Sequence, residues 1–162
     1  MIVKEILLPK TVIVQEAVFD FSKLYKDMKY WFDQKLYTFH ELRNEQIESA
    51  RGTALEIEWV GEREINNYFK FKITILMLGN NIDKLQTEEG DIVHQGNLKI
   101  FIEGALIMDH KDKFKDGKFI EFLSKIYNDV IMMKKRKNYE IRLSEEIEEL
   151  KNLIKENLQL YQ

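Results

Sequence analysis

Apolar and polar residues alternate through the middle of the chain. From 38 to 110 the period is two. Leu55, Ile57 and Trp59 interleave with Glu56, Glu58 and Val60. Phe69, Phe71, Ile73, Ile75 and Met77 form one face of a second strand, and Leu98, Ile100, Ile102, Leu106 and Met108 one face of a third. One apolar face and one largely wet face predict an antiparallel sheet. The more polar run RNEQIESARG, from Arg43, belongs on an outer strand. Breaks are expected at 51–53, 65–68, 79–81 and 89–91. One register satisfies both faces of the 54–77 region: Glu62 opposite Lys72, Glu64 opposite Lys70, Trp59 opposite Ile75 and Ile57 opposite Met77. A slip of one residue turns every side chain to the other face and loses both sets of pairs.

The ends of the chain read differently. Pro9 lacks a backbone donor and marks an entry or edge position. The β-branched run TVIVQEAVF predicts a strand over 11–19. Asp20 or Ser22 then caps a helix over 21–36, whose apolar stripe is Phe21, Leu24, Tyr25, Met28, Trp31, Phe32 and Leu36. Beyond 110 the pattern is helical again. Asp116 is the expected N-cap of a stripe through Phe119, Phe122, Leu123, Ile126, Tyr127, Val130 and Met133. A second stripe runs through Leu143, Ile147, Leu150, Ile154, Leu158 and Tyr161. The stripes are out of phase by one residue, about 100° of helix. A break or bend is therefore expected near 137–142, with Ser144, Glu145 and Glu146 as a new helix start.

The order strand, helix, antiparallel strands, long C-terminal helical segment gives an α+β fold. It resembles the helix-grip architecture of START-like and pollen-allergen-type proteins, in which a curved sheet wraps the last helix around a cavity. The resemblance covers topology over most of the chain. It departs in having one longer helix after the first strand, where that family has two short ones, and in the break of the last helix. The stretch ALEIEWVGEREINNYFKFKI, 54–73, is similar in texture to small uncharacterised archaeal proteins.

Composition narrows the function. The 162 residues suit one domain, 1–162. A net charge of −3 argues against phosphate neutralisation as the main role. The absence of cysteine removes thiol, disulfide and cysteine–metal chemistry. The N-terminal run MIVKEILLPKTVIV does not read as a signal peptide, and no apolar run approaches the ~20 residues of a membrane span. A cytoplasmic protein is expected.

Candidate chemistry is sparse. His40, His94 and His110 have no histidine at helical ligand spacing. The MDHKD run, with Asp109, His110 and Asp112, reads first as a polar turn and second as a metal cluster. His94 and His110 share the inward phase of the third strand, at the sheet rim or in a pocket. His40–Glu41 is followed by no second histidine, and the glycines form no phosphate loop. No nucleophile elbow is present. Glu56, Glu58, Glu62 and Glu64 alternate onto the wet face.

A non-enzymatic binding protein without cofactor or metal is expected, ahead of an enzyme whose acid–base site is built from residues distant in sequence. Its apolar face and C-terminal helices would hold a hydrophobic ligand or a protein partner, with Trp59, Phe71, Ile73, His94 and Ile100 as ligand-binding candidates. Trp59 reads as core before it reads as a stacking ring. The alternative is an accessory subunit of a ribonucleoprotein or other large assembly, docking through Lys134, Lys135, Arg136 and Lys137. Those cations read first as the end of a helix, where they face its carbonyl groups; nucleic acid ranks below protein as a partner. The 4–3–4 spacing of Leu143, Ile147, Leu150 and Ile154 also allows a homodimer through the C-terminal helix.

Overall fold

The computed structural model describes residues 5–16, 18–108 and 133–159. The elements are β1 (Glu5–Leu7), β2 (Thr11–Gln15), β3 (Val18–Phe19), α1 (Phe21–Gln34), β4 (Thr38–Ser49), β5 (Gly52–Glu64), β6 (Phe69–Gln86), β7 (Ile92–Met108) and α2 (Met133–Gln159). The fold is α+β. All strand pairs are antiparallel, in the order β7-β6-β5-β4, and β1, β2 and β3 lie in succession along the free side of β7. Among the described residues no helix is long and apolar enough to cross a membrane.

Local chemistry explains the first edge. Pro9 has no N–H to give and falls between β1 and β2; the expected 11–19 strand is two short strands, β2 and β3. α1 begins where Asp20 accepts a hydrogen bond from the Lys23 N–H at 3.0 Å. It buries Leu24, Met28, Trp31 and Phe32 on the sheet. Leu36, expected on that stripe, lies outside it. The helix ends at Gln34, Leu36 takes a left-handed φ of 64°, and its side chain is 79% exposed. That reversal returns Tyr37 to the core.

The expected β5–β6 register is the observed one in all four pairs. Lys70 bonds diagonally to Glu62, at 3.1 Å. The turn between β5 and β6 is closed by Asn66, whose Oδ1 accepts from the N–H groups of Tyr68 and Phe69, both at 2.8 Å. The expected break at 79–81 is instead a bulge inside β6. Pairing with β7 skips between Asn80 and Asp83, and Asn81 has φ 53°. Glycines flank it: a Cβ on Gly96 would lie 2.8 Å from the Asn81 carbonyl oxygen. One added atom at Gly96 would push backbone against backbone.

Both helices lie on the inner face of the sheet, each seated at a glycine. A Cβ on Gly61 would fall 2.6 Å from the Phe32 ring, and one on Gly104 would fall 2.2 Å from Ile147 Cδ1. α2 is one uninterrupted helix over Met133–Gln159, so of the break or bend expected near 137–142 the break is overturned, and with it the helix start at Ser144. Its helical backbone continues through 137–142, and no Gly or Pro stands there to interrupt it. Leu143, Ile147, Leu150, Ile154 and Leu158 are buried. Near its end, the buried Gln15 amide donates to the Leu158 carbonyl at 3.3 Å, and Lys23 donates to Asn157 Oδ1 at 2.9 Å. The Asp116 cap, the stripe from Phe119 to Val130, the Met133 side chain, Tyr161 and the MDHKD run's Asp109, His110 and Asp112 lie outside the described residues.

Candidate functional site

The apolar candidates are brought together on the inner face under the helices. Trp59, Phe71, Ile73 and Ile100 have no exposed surface. The Trp59 ring meets Tyr25 and Phe39 edge-on, each at 4.8 Å. Its Nε1–H donates to Glu41 Oε1 at 3.1 Å. The same oxygen accepts from the Tyr25 hydroxyl at 2.9 Å and from the Asn44 amide at 3.1 Å. Burial raises the Tyr25 pKa, and the Glu41 bond and charge add to it. Glu41 thus ties α1, β4 and β5 at one corner.

His94 lies apart from the other four, at the start of α1. Its Nδ1 accepts from the Phe21 N–H at 3.4 Å, and its ring stacks on Phe19 at 5.9 Å. Burial lowers its pKa; Asp20 opposes this and Lys84 reinforces it. An imidazole that accepts from a helix N–H must be unprotonated at that nitrogen.

A second cluster joins α1, β5 and α2. Arg63 meets Glu146 through two hydrogen bonds, 2.9 and 2.8 Å, with side-chain exposures of only 13% and 10%. Arg63 also donates to the Lys35 carbonyl at 2.6 Å, which belongs to the C-terminal cap of α1. Its guanidinium covers the Tyr37 ring at 4.7 Å and the Phe71 ring at 5.3 Å. The Tyr37 hydroxyl donates to Glu146 at 3.2 Å, and Arg142 stands 3.7 Å from the same carboxylate. Burial, then the Glu146 charge, pushes the Tyr37 pKa far up, so the phenol stays protonated. The bidentate Arg63–Glu146 pair, with the Lys35 carbonyl and the Tyr37 hydroxyl bonded to it, makes the cluster a clamp. The sequence carried a signal for it that pattern reading passed over. Arg63 stands in the inward phase of Leu55, Ile57 and Trp59, and Glu146 beside Ile147 in the buried stripe.

The surface holds two features of a different kind. Between α1 and β4 lies a recess of about 390 Å³, lined by Lys26, Lys29, Tyr30, Asp33, Tyr37 and Phe39. The second is the start of α2. Lys134, Lys135 and Lys137 are exposed and Arg136 is half-buried. All four lie within α2, far from its C-terminal carbonyl groups; the stripe from Phe119 to Val130, whose helix end they were expected to close, lies outside the described residues. Among the described residues none of the four has a carboxylate within 4.0 Å. The stripe expected to serve a homodimer is buried on the sheet. No group of three potential metal ligands occurs among the described residues. No family model and no curated protein matches the chain.

Proposed function

We propose that the chain is a non-enzymatic binding protein whose protein partner sits on its surface. The observation that carries this is the filled inner face. Trp59, Phe71, Ile73 and Ile100 have no exposed surface beneath the two helices. An apolar ligand at those residues would have to lift α1 or α2, and moving either disrupts bonds that converge on Arg63 and Glu146. The order of elements supports a helix-grip-like arrangement with its interior occupied by its own side chains. In this reading the module works in the cytoplasm. Hydrogen exchange with and without a long-chain fatty acid tests it: amides of β5, β6 and β7 are expected to keep their protection. An acyl chain that binds and changes those amides overturns the proposal. Cross-links to a partner captured from the native cell are expected only on exposed residues.

The start of α2 supports a second reading, an accessory subunit of a ribonucleoprotein or other assembly. Its support is the cations Lys134, Lys135, Arg136 and Lys137, which among the described residues have no carboxylate within 4.0 Å. Four phosphate contacts to a single strand would give a log–log salt slope of about −2.8. Filter binding to a single-stranded RNA at low salt tests this; no retention removes it.

A further inference from the structure

We infer that the groove between α1 and the first residues of β4 receives an extended, acidic segment of a partner protein, which adds to the sheet as a further strand. The inference rests on the surface-partner reading above and names the partner's chemistry. Four observations converge on it.

β4 bonds to β5 on one side, and no strand among the described residues pairs with the other. Its outward N–H and C=O groups are a template for another chain. The template is restricted. A bulge between Glu41 and Arg43, followed by the exposed charges of Arg43, Glu45 and Glu48, blunts the strand beyond residue 41. Thr38, Phe39, His40 and Glu41 remain as the usable stretch.

That stretch runs beside α1, and the space between them is the recess. An incoming strand would lie about 4.8 Å from β4, which places it between the edge and Lys26, Lys29 and Tyr30. Main-chain bonds to a sheet edge supply affinity, and pockets beside the edge supply specificity. The floor is preformed. Phe39 rests on Phe32 and Trp59, and Tyr37 is fixed through its hydroxyl to Glu146. Such a floor fits an aromatic or aliphatic side chain.

The charge of the occupant follows from the walls. The lining carries two ammonium groups, Lys26 and Lys29, against one carboxylate, Asp33, so its net charge is positive; both lysines are exposed, neither has a carboxylate within 4.0 Å among the described residues, and the Lys29 ammonium sits 5.8 Å over the Phe39 ring. A second copy is the weaker occupant. Pairing two β4 strands at 38–41 about a two-fold axis would bring both α1 helices to the same side and set Lys26 and Lys29 of one against those of the other. Like charges oppose that approach.

The test uses a labelled octapeptide alternating Glu with Val around one central Phe, its Lys-for-Glu counterpart, and a backbone N-methylated form. The Glu peptide is expected to shift amide resonances of 38–41 and of α1, while the other two bind far more weakly. Lys26→Glu with Lys29→Glu is expected to weaken the Glu peptide about fivefold to tenfold, the sum of two exposed ion pairs. Both positions are exposed, so the variant's unfolding midpoint should hold and verify its fold. Unchanged affinity in that variant, equal binding of the N-methylated peptide, or no binding at all overturns the inference. Shifts confined to 134–137 overturn the groove and leave the surface-partner reading standing. Concentration-dependent dimerisation that protects 38–41 replaces the partner with a second copy and also overturns it. An apolar ligand entering beneath the helices overturns the reading on which the inference rests.

Discussion

The Arg63–Glu146 pair offers the sharpest quantitative test. Truncating one partner of a buried ion pair costs about 3–5 kcal/mol, because the other charge is left uncompensated. Here each survivor keeps help. Without Glu146, Arg63 still bonds to the Lys35 carbonyl and lies over two rings; without Arg63, Glu146 still accepts from Tyr37 and faces Arg142. Each single change, Glu146→Leu or Arg63→Met, should therefore sit near the lower bound, about 3 kcal/mol. For a domain of this size that corresponds to a fall in melting temperature of about 6–12 °C. The double change Arg63→Met with Glu146→Leu removes both charges and fills the site with apolar atoms. It should cost less than either single change, since an apolar replacement avoids the desolvation of two ions. Urea unfolding of the four proteins closes the cycle. Single variants within about 1 kcal/mol of wild type would mean the pair behaves as a surface contact. A double variant whose cost equals the sum of the singles would mean the two charges are not coupled. Either result refutes the clamp.

Three further outcomes follow from particular contacts. Gly61→Ala should destabilise more than Gly104→Ala, by thermal melts, because the first meets the rigid Phe32 ring and the second the movable end of Ile147; adding Ile147→Val to Gly104→Ala should recover part of the loss by removing that Cδ1. His94 has a folded pKa below its ordinary value of about 6.5, so the unfolded chain binds the extra proton first; His94's contribution is complete above that value and declines as pH falls towards the folded pKa. Urea midpoints at successive pH values should fall less steeply in His94→Gln than in wild type, and equal slopes would refute this. Tyr37 has its pKa raised, so unfolded Tyr37 ionises first once pH passes about 10, and stability falls as pH climbs beyond it. Tyr37→Phe should cost about 1 kcal/mol at neutral pH and lessen the alkaline fall; near-ultraviolet titration should show one tyrosine that ionises only on unfolding.

The alternation at Leu55–Ile57–Trp59 and Phe69–Phe71–Ile73 was enough to place a sheet, assign its faces and set the β5–β6 register. Period-two burial and charge pairing are properties of adjacent strands, and adjacent strands are close in sequence. The α1 stripe was legible for the same reason, up to the left-handed reversal at Leu36, which no periodicity announces. The candidate site was less legible. Trp59, Phe71, Ile73 and Ile100 were rightly placed on the inner face. Whether that face would be open or covered depended on where two distant helices came to rest, and Gly61 and Gly104 set how closely they could approach.

By itself, then, the sequence determined an α+β chain with an antiparallel sheet and a helix on either side of it in order, because local periodicity and capping are written in neighbouring residues. Only the tertiary structure decided that α2 runs unbroken over Met133–Gln159, that Arg63 finds Glu146 across 83 residues, and that Lys26 and Lys29 line a recess beside β4. Those outcomes depend on how separate elements pack. Packing energy is set by which surfaces meet, and a one-dimensional pattern records only which surfaces are available.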